Sequence, residues 1–120
     1  MRTLFVFLFL TVTLFAYTDL DAKSFYKLAQ QKDVILLDVR TPQEYLEGHI
    51  PGANLIPLQL FRYLFLGGKG IADKRILVYC HSGNRSVEAS KMLESWGAKR
   101  VYNLKYGILD WKKRSLPLQK

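Results

Sequence analysis

One cysteine, Cys80, stands in the whole chain of 120 residues. That excludes an internal disulfide and leaves a lone thiol that is either accidental or chemically employed. No internal repeat, low-complexity segment or linker-like composition shift occurs, so the length accommodates one domain. The phosphate-binding ending Gly-Lys-Ser/Thr is also missing. Gly67-Gly68-Lys69-Gly70 is glycine-rich, but it is too short for a P-loop and lacks that ending, so it reads as a plain loop. No nucleic-acid-binding motif is present. Acidic residues are scarce, 10 against 18 basic. Such a balance favours anionic substrates or surfaces. The basic side chains (Lys23, Lys32, Lys69, Lys91, Lys99, Lys112) are nevertheless scattered as on a solvated face, not gathered into a stripe.

A hydrophobic run long enough to span a bilayer is absent as well. Leu4 to Ala16 is continuously apolar behind Arg2, yet it falls short of the ~20 residues a spanning helix needs. A positive start, a short apolar stretch and Ala16 before polar Thr18-Asp19 read as a secretory signal peptide over residues 1–16. An uncleaved anchor and a buried N-terminal strand are the alternatives. Cleavage after Ala16 leaves residues 17–120 as the domain. Losing Arg2 leaves 17 basic and 10 acidic residues, a net charge of +7. The expected location is periplasmic or otherwise exported, away from nucleic acid. Contact with a membrane is then limited to the signal segment or a weak surface association.

The remainder alternates short helices and strands. Asp21 caps a helix from Ala22 to about Gln31 that places Ala22, Phe25, Leu28 and Ala29 on one face. Val34 to Val39 has the branched apolar character of a central parallel strand. Thr41-Pro42-Gln43-Glu44 forms a capping box with proline at the first helical position, and that helix ends at Gly48. Asn54 to Ile56 is the next strand. Leu58 to Leu66 is apolar on almost every side, which suits a helix buried all round or a patch for a partner or membrane surface. Ile76 to Tyr79 is a buried strand, Ser86 to Trp96 an amphipathic helix closed by Gly97, Val101 to Leu104 a last strand, and Ile108 to about Arg114 a last helix. The alternation predicts an α/β fold with a parallel sheet and helices on both faces. Ligands in such folds bind beyond the carboxyl ends of the strands.

Cys80 falls there, between a strand and a helix, in Tyr79-Cys80-His81-Ser82-Gly83-Asn84-Arg85-Ser86. The first N–H groups of a helix lack internal partners and carry the positive end of its dipole. A six-residue loop from Cys80 to Arg85 can turn further N–H groups toward one point, with Gly83 supplying the backbone freedom. A thiol at the floor of such a nest ionises readily, aided by Arg85. The polar residues that follow it argue against burial of Cys80 as a merely structural residue.

This loop resembles the active-site loop of the rhodanese family of sulfurtransferases. Asp38-Val39-Arg40-Thr41-Pro42-Gln43-Glu44-Tyr45, followed by Gly48-His49-Ile50-Pro51-Gly52-Ala53, is similar to that family's N-terminal signature. With Gly107 to Trp111 the likeness covers about residues 19 to 114. It departs at Tyr106-Gly107, where a Gly-Gly pair is frequent, and so touches the shape of the pocket wall. The resemblance implies a three-layer rhodanese-like fold with a sheet of about 4–5 strands.

It also implies a relay in which Cys80 takes sulfane sulfur from thiosulfate as a persulfide and passes it to a thiol or cyanide. A protein sulfur acceptor fits the same chemistry. His81, Ser82, Gly83, Asn84, Arg85 and Ser86 would bind the substrate, with Arg85 stabilising the sulfite-like leaving group. Asp38 and Arg40 would pair and brace the loop, unless they form a simple surface pair. His49 reads as a structural hydrogen-bonding residue. No metal or organic cofactor is required. Two rivals remain: a cysteine phosphatase, whose arginine stands six rather than five positions after the cysteine, and a non-catalytic carrier or redox-sensing module.

Overall fold

The computed structural model describes residues 3–6, 8, 17–61, 63, 64 and 70–120. The expected signal peptide with its cleavage point, Lys69, most of the Gly67–Gly70 loop and the end of the Leu58–Leu66 run therefore lie largely outside the described residues. Leu4, Phe5, Val6 and Leu8 are exposed and belong to no strand, which removes the buried-strand alternative for them.

In chain order the elements are β1 (Thr18–Leu20), α1 (Ala22–Ala29), β2 (Val34–Asp38), α2 (Pro42–Glu47), β3 (Asn54–Leu55), α3 (Leu58–Phe61), β4 (Arg75–Tyr79), α4 (Asn84–Ser95), β5 (Arg100–Leu104) and α5 (Gly107–Lys113). All five strands are parallel, in the order β1-β5-β4-β2-β3. Period-two alternation along β2 and β4 splits their side chains between two cores. Leu36, Leu77 and Tyr79 join Phe25, Ile108 and Trp111 on the α1/α5 face. Leu37, Val39, Ile76, Val78 and Cys80 join Phe61, Ala89 and Leu93 on the α3/α4 face. Strands covered on both sides carry unbroken apolar runs, as the sequence of β2 and β4 does. Each fully buried large side chain contributes on the order of 1.5–3 kcal/mol.

The local signals hold. Asp21 accepts from the Ser24 N–H at 2.8 Å to cap α1. Thr41 and Glu44 complete their capping box around Pro42, and Gly48 ends α2. β1 is an addition that the sequence reading did not contain. The expectation of an all-round buried helix after Pro57 is corrected: α3 is one turn, and of its residues only Phe61 is buried, stacked on Trp96. Leu60 is 56% exposed and Tyr63 86% exposed. An apolar patch next to the carboxyl ends of β2 and β3 is the result.

Candidate functional site

β4, the central strand, delivers Cys80 to the carboxyl edge of the sheet. Because Tyr79 faces the α1/α5 core, Cys80 faces the opposite side, toward the amino terminus of α4. That helix starts at Asn84, two residues ahead of the expected Ser86, so Asn84, Arg85 and Ser86 form its first turn. The connection Cys80-His81-Ser82-Gly83 is correspondingly tight. Gly83 adopts a left-handed conformation with φ of 107°. A Cβ there would run into the carbonyl oxygen of Lys105, and one on Gly107 (φ 68°) into the His81 carbonyl. α5 clamps the loop from outside. Its Ile108 and Leu109 N–H groups donate to the carbonyls of Cys80 (2.9 Å) and His81 (3.2 Å).

At the sulfur, the Gly83 N–H donates to Sγ at 3.1 Å. The thiol in turn donates to Ser86 Oγ at 3.3 Å, and the Ser86 hydroxyl donates to the Gly83 carbonyl at 3.2 Å. Cys80 is only 1% exposed, which corrects the expectation of an accessible thiol. The polar residues after it do reach solvent, since His81, Ser82 and Asn84 are exposed, but the loop they belong to closes over Sγ. Ser86 and Gly83 are buried beside it, and Arg85 is half-buried.

Arg85 does not stand alone over the loop. Its Nη1 and Nη2 donate to Glu44 Oε1 and Oε2 at 2.7 and 2.9 Å, a bidentate ion pair across 41 residues of sequence. The Arg85 hydrogen bonds pull the Glu44 carboxyl down to about 2, outweighing a partial burial that works the other way. Arg85 is raised by the same bonds. The capping motif had identified Glu44 only as a helix cap, so its partner at the site was missed.

Behind the loop lies a buried cluster, not the surface pair weighed as the alternative for Asp38 and Arg40. Arg40 Nε and Nη2 both reach the Asp38 carboxylate, the latter at 2.7 Å, and Nη2 also donates to the Gly48 carbonyl. Tyr79, the residue before Cys80, donates its hydroxyl to Asp38 Oδ2 at 2.7 Å and accepts from the Ile50 N–H. Burial first, then the Asp38 charge, push the Tyr79 hydroxyl far above its ordinary range. For Arg40, burial pulls downward but the bonds and charge of Asp38 prevail and raise it. The cluster thus ties the end of β4 to the segment around Gly48 and Ile50. His49 stacks on Tyr45 with ring centroids 3.7 Å apart, its Nδ1 3.0 Å from the Tyr45 carbonyl, in keeping with a structural role. Among the described residues, no three His, Cys, Asp or Glu side chains gather where they could hold a metal ion.

Residues 21–114 match the rhodanese-like domain family. A sulfurtransferase of Allochromatium vinosum is 37% identical over 101 residues, which cover 83% of this chain and 92% of that protein. The thiosulfate sulfurtransferase GlpE of Coxiella burnetii is 31% identical over 96 residues, covering 80% of this chain and 88% of its own. The crystal structure of a rhodanese-related protein from Thermoplasma volcanium superposes with a TM-score of 0.74 at 29% identity, over 86% of this chain and 98% of that one.

Proposed function

The chain belongs to the rhodanese-like domain family, and from that premise we propose that it is a sulfurtransferase carrying sulfane sulfur from thiosulfate to a thiol or cyanide as a Cys80 persulfide. The observation that carries this reading is the placement of Sγ at the end of the central strand, against the first turn of α4 and within 3.1 Å of the Gly83 N–H. In the first step the Cys80 thiolate attacks the outer sulfur of thiosulfate. A bond forms between Sγ and that sulfur, the S–S bond of the donor breaks, and sulfite departs with the electron pair. In the second step a thiolate or cyanide takes the terminal sulfur, giving an organic persulfide or thiocyanate and restoring the Cys80 thiolate.

The chain's own groups fit these steps. The Gly83 N–H is already directed at sulfur, where a preorganised donor stabilises negative charge without reorganising. Ser86 has a single hydroxyl proton. It goes to the Gly83 carbonyl while Cys80 is a thiol, and once the thiol proton is lost it can turn to the sulfur instead. Glu44 takes one N–H from each terminal nitrogen of Arg85, leaving Nε–H and a second N–H on each for the departing anion. The phosphatase reading is disfavoured by loop length: Arg85 stands five rather than six positions after Cys80, which narrows the cradle for a full phosphate.

Intact-mass measurement tests the proposal. Thiosulfate should add the mass of one sulfur atom to the protein, cyanide should remove it as thiocyanate, and Cys80→Ser should do neither while remaining folded. Multiple turnovers with small donors and acceptors identify an enzyme; a single loading released only to a protein identifies a carrier. Robust hydrolysis of an aryl phosphate with no persulfide detectable would overturn the assignment.

A further inference from the structure

Basic residues that lie scattered along the chain are brought together by the topology. Parallel strands all start at one end of their sheet, the end opposite Cys80. There β2 is preceded by Lys32-Asp33, β4 by Asp73-Lys74 and β5 by Lys99. β4 and β5 themselves begin with Arg75 and Arg100, which lie directly opposite each other in the ladder. Neighbouring strands are ~4.8 Å apart, so Lys74-Arg75 and Lys99-Arg100 form two adjacent dibasic steps. Over these flanking residues five cations meet two carboxylates.

Like charges opposite each other in a sheet are destabilising, and a counter-anion relieves them. Arg75 turns back to two uncharged acceptors, the Gln31 side chain and the Lys32 carbonyl. No carboxylate among the described residues forms an ion pair with Lys74, Lys99 or Arg100, all three of them exposed. At the other end of the sheet, by contrast, Arg40 and Arg85 are each held by a carboxylate. Two further features belong to the basic end. The chain enters β1 there, so the apolar Leu4–Ala16 run is joined to it through Tyr17. Half-buried Trp96 closes α4 just ahead of Lys99-Arg100. Tryptophan beside basic residues suits the boundary between membrane and water.

We infer that the end of the sheet where the strands begin is a docking face for an anionic lipid surface. The groups recognised are headgroup phosphates. The cations are spread over three neighbouring strands, which matches a surface of phosphates better than a single free anion. Docked in this way, the domain holds the Cys80 loop, at the opposite end of β4, away from the lipid. The inference is independent of the chemistry at Cys80.

Co-sedimentation of the full chain with vesicles tests the face, using phosphatidylcholine alone and with about one-third phosphatidylglycerol. The apolar N-terminal run contributes to both, so the decisive quantity is the ratio of the two partition coefficients. A basic side chain near an anionic surface is worth about fivefold in partitioning, so the parent ratio should exceed about tenfold at low salt and collapse at high salt. Lys74→Glu/Lys99→Glu should bring the ratio close to one. Lys23→Glu/Lys105→Glu makes the same change of charge at the other end, in the first turn of α1 and just after β5. Five-residue strands span ~16 Å, beyond a Debye length of ~8 Å, so this control should lower the ratio less than about threefold. All four lysines are exposed, and melts of both variants should match the parent. Equal falls in the two variants would show that attraction follows net charge alone and would overturn the face. A parent ratio near one would overturn it as well and leave an acidic protein as the partner class. Displacement by inorganic phosphate beyond that by chloride at equal ionic strength would assign the cations to a free anion, against the lipid surface.

Discussion

At the scale of single residues, Glu44 does the work of two. Its Oε1 accepts from the Thr41 N–H (3.1 Å) and hydroxyl (3.2 Å), closing the cap of α2, while both oxygens receive Arg85. An exposed ion pair alone is worth about 0–1 kcal/mol. This one is only partly exposed, bidentate and held at one end by a helix cap. Glu44→Gln keeps the shape and much of the capping capacity but removes the charge, and should cost about 1 kcal/mol at neutral pH. The sign of its pH dependence follows from a depressed carboxyl. Glu44 sits at about 2 against an ordinary 4.5, so its contribution is complete above the upper value and is lost as pH falls toward the lower. Urea midpoints of parent and variant should differ at neutral pH and draw together across that window. A gap that does not narrow would show that the variant loses something other than the charge.

At the scale of elements, the loop's geometry depends on two glycines for different reasons than a third. Gly83, Gly107 and Gly97 all have positive φ, but only the first two would drive a Cβ into backbone, while Gly97 faces open space. Gly97→Ala should therefore cost only backbone strain, about 1 kcal/mol. Gly83→Ala and Gly107→Ala should each cost more than about 2 kcal/mol and reduce sulfur loading of Cys80, because the clash moves the loop. Thermal melts of the three variants beside persulfide masses make the comparison; equal losses at Gly83 and Gly97 would contradict it. The same distinction explains what was legible in the sequence. Signals between near neighbours were read directly: Asp21 to Ser24, Thr41 to Glu44, and the apolar runs of β2 and β4. Features made by distant segments were not. Arg85 meets Glu44 across 41 residues. The burial of Cys80, which packs with Phe61, Ala89 and Leu93 on the α3/α4 side, was concealed by the polar character of His81 and Ser82. α3 has the composition of a core helix, yet its one turn buries only Phe61. β1 escaped notice because three residues, Thr18–Leu20, are too few to show alternation.

At the scale of the whole molecule, β1 is the first described element of the sheet. Among the described strands it lies at the sheet edge, pairing with β5 from Thr18 opposite Tyr102 to Leu20 opposite Leu104. Asp19 accepts from Asn103 Nδ2 at 2.9 Å, the Leu20 carbonyl accepts from the Lys105 N–H at 3.0 Å, and Tyr17 packs on the α3/α4 core. We propose that residues 1–16 are an export signal removed after Ala16, a reading supported by the positive start and short apolar run of that segment. Two truncations separate domain from signal. A chain starting at Tyr17 should melt within about 2 °C of the full chain and load sulfur equally well. One starting at Asp21 loses β1 and uncovers β5, and should fall by about 2 kcal/mol, on the order of 10 °C for a domain of this size. N-terminal sequencing of protein recovered from the cell envelope should then read Tyr17 first. Recovery of the protein as a soluble cytoplasmic form beginning at Met1 would refute export even if both truncations behave as expected, because the melts locate the domain boundary and only the cleaved terminus reports passage across a membrane.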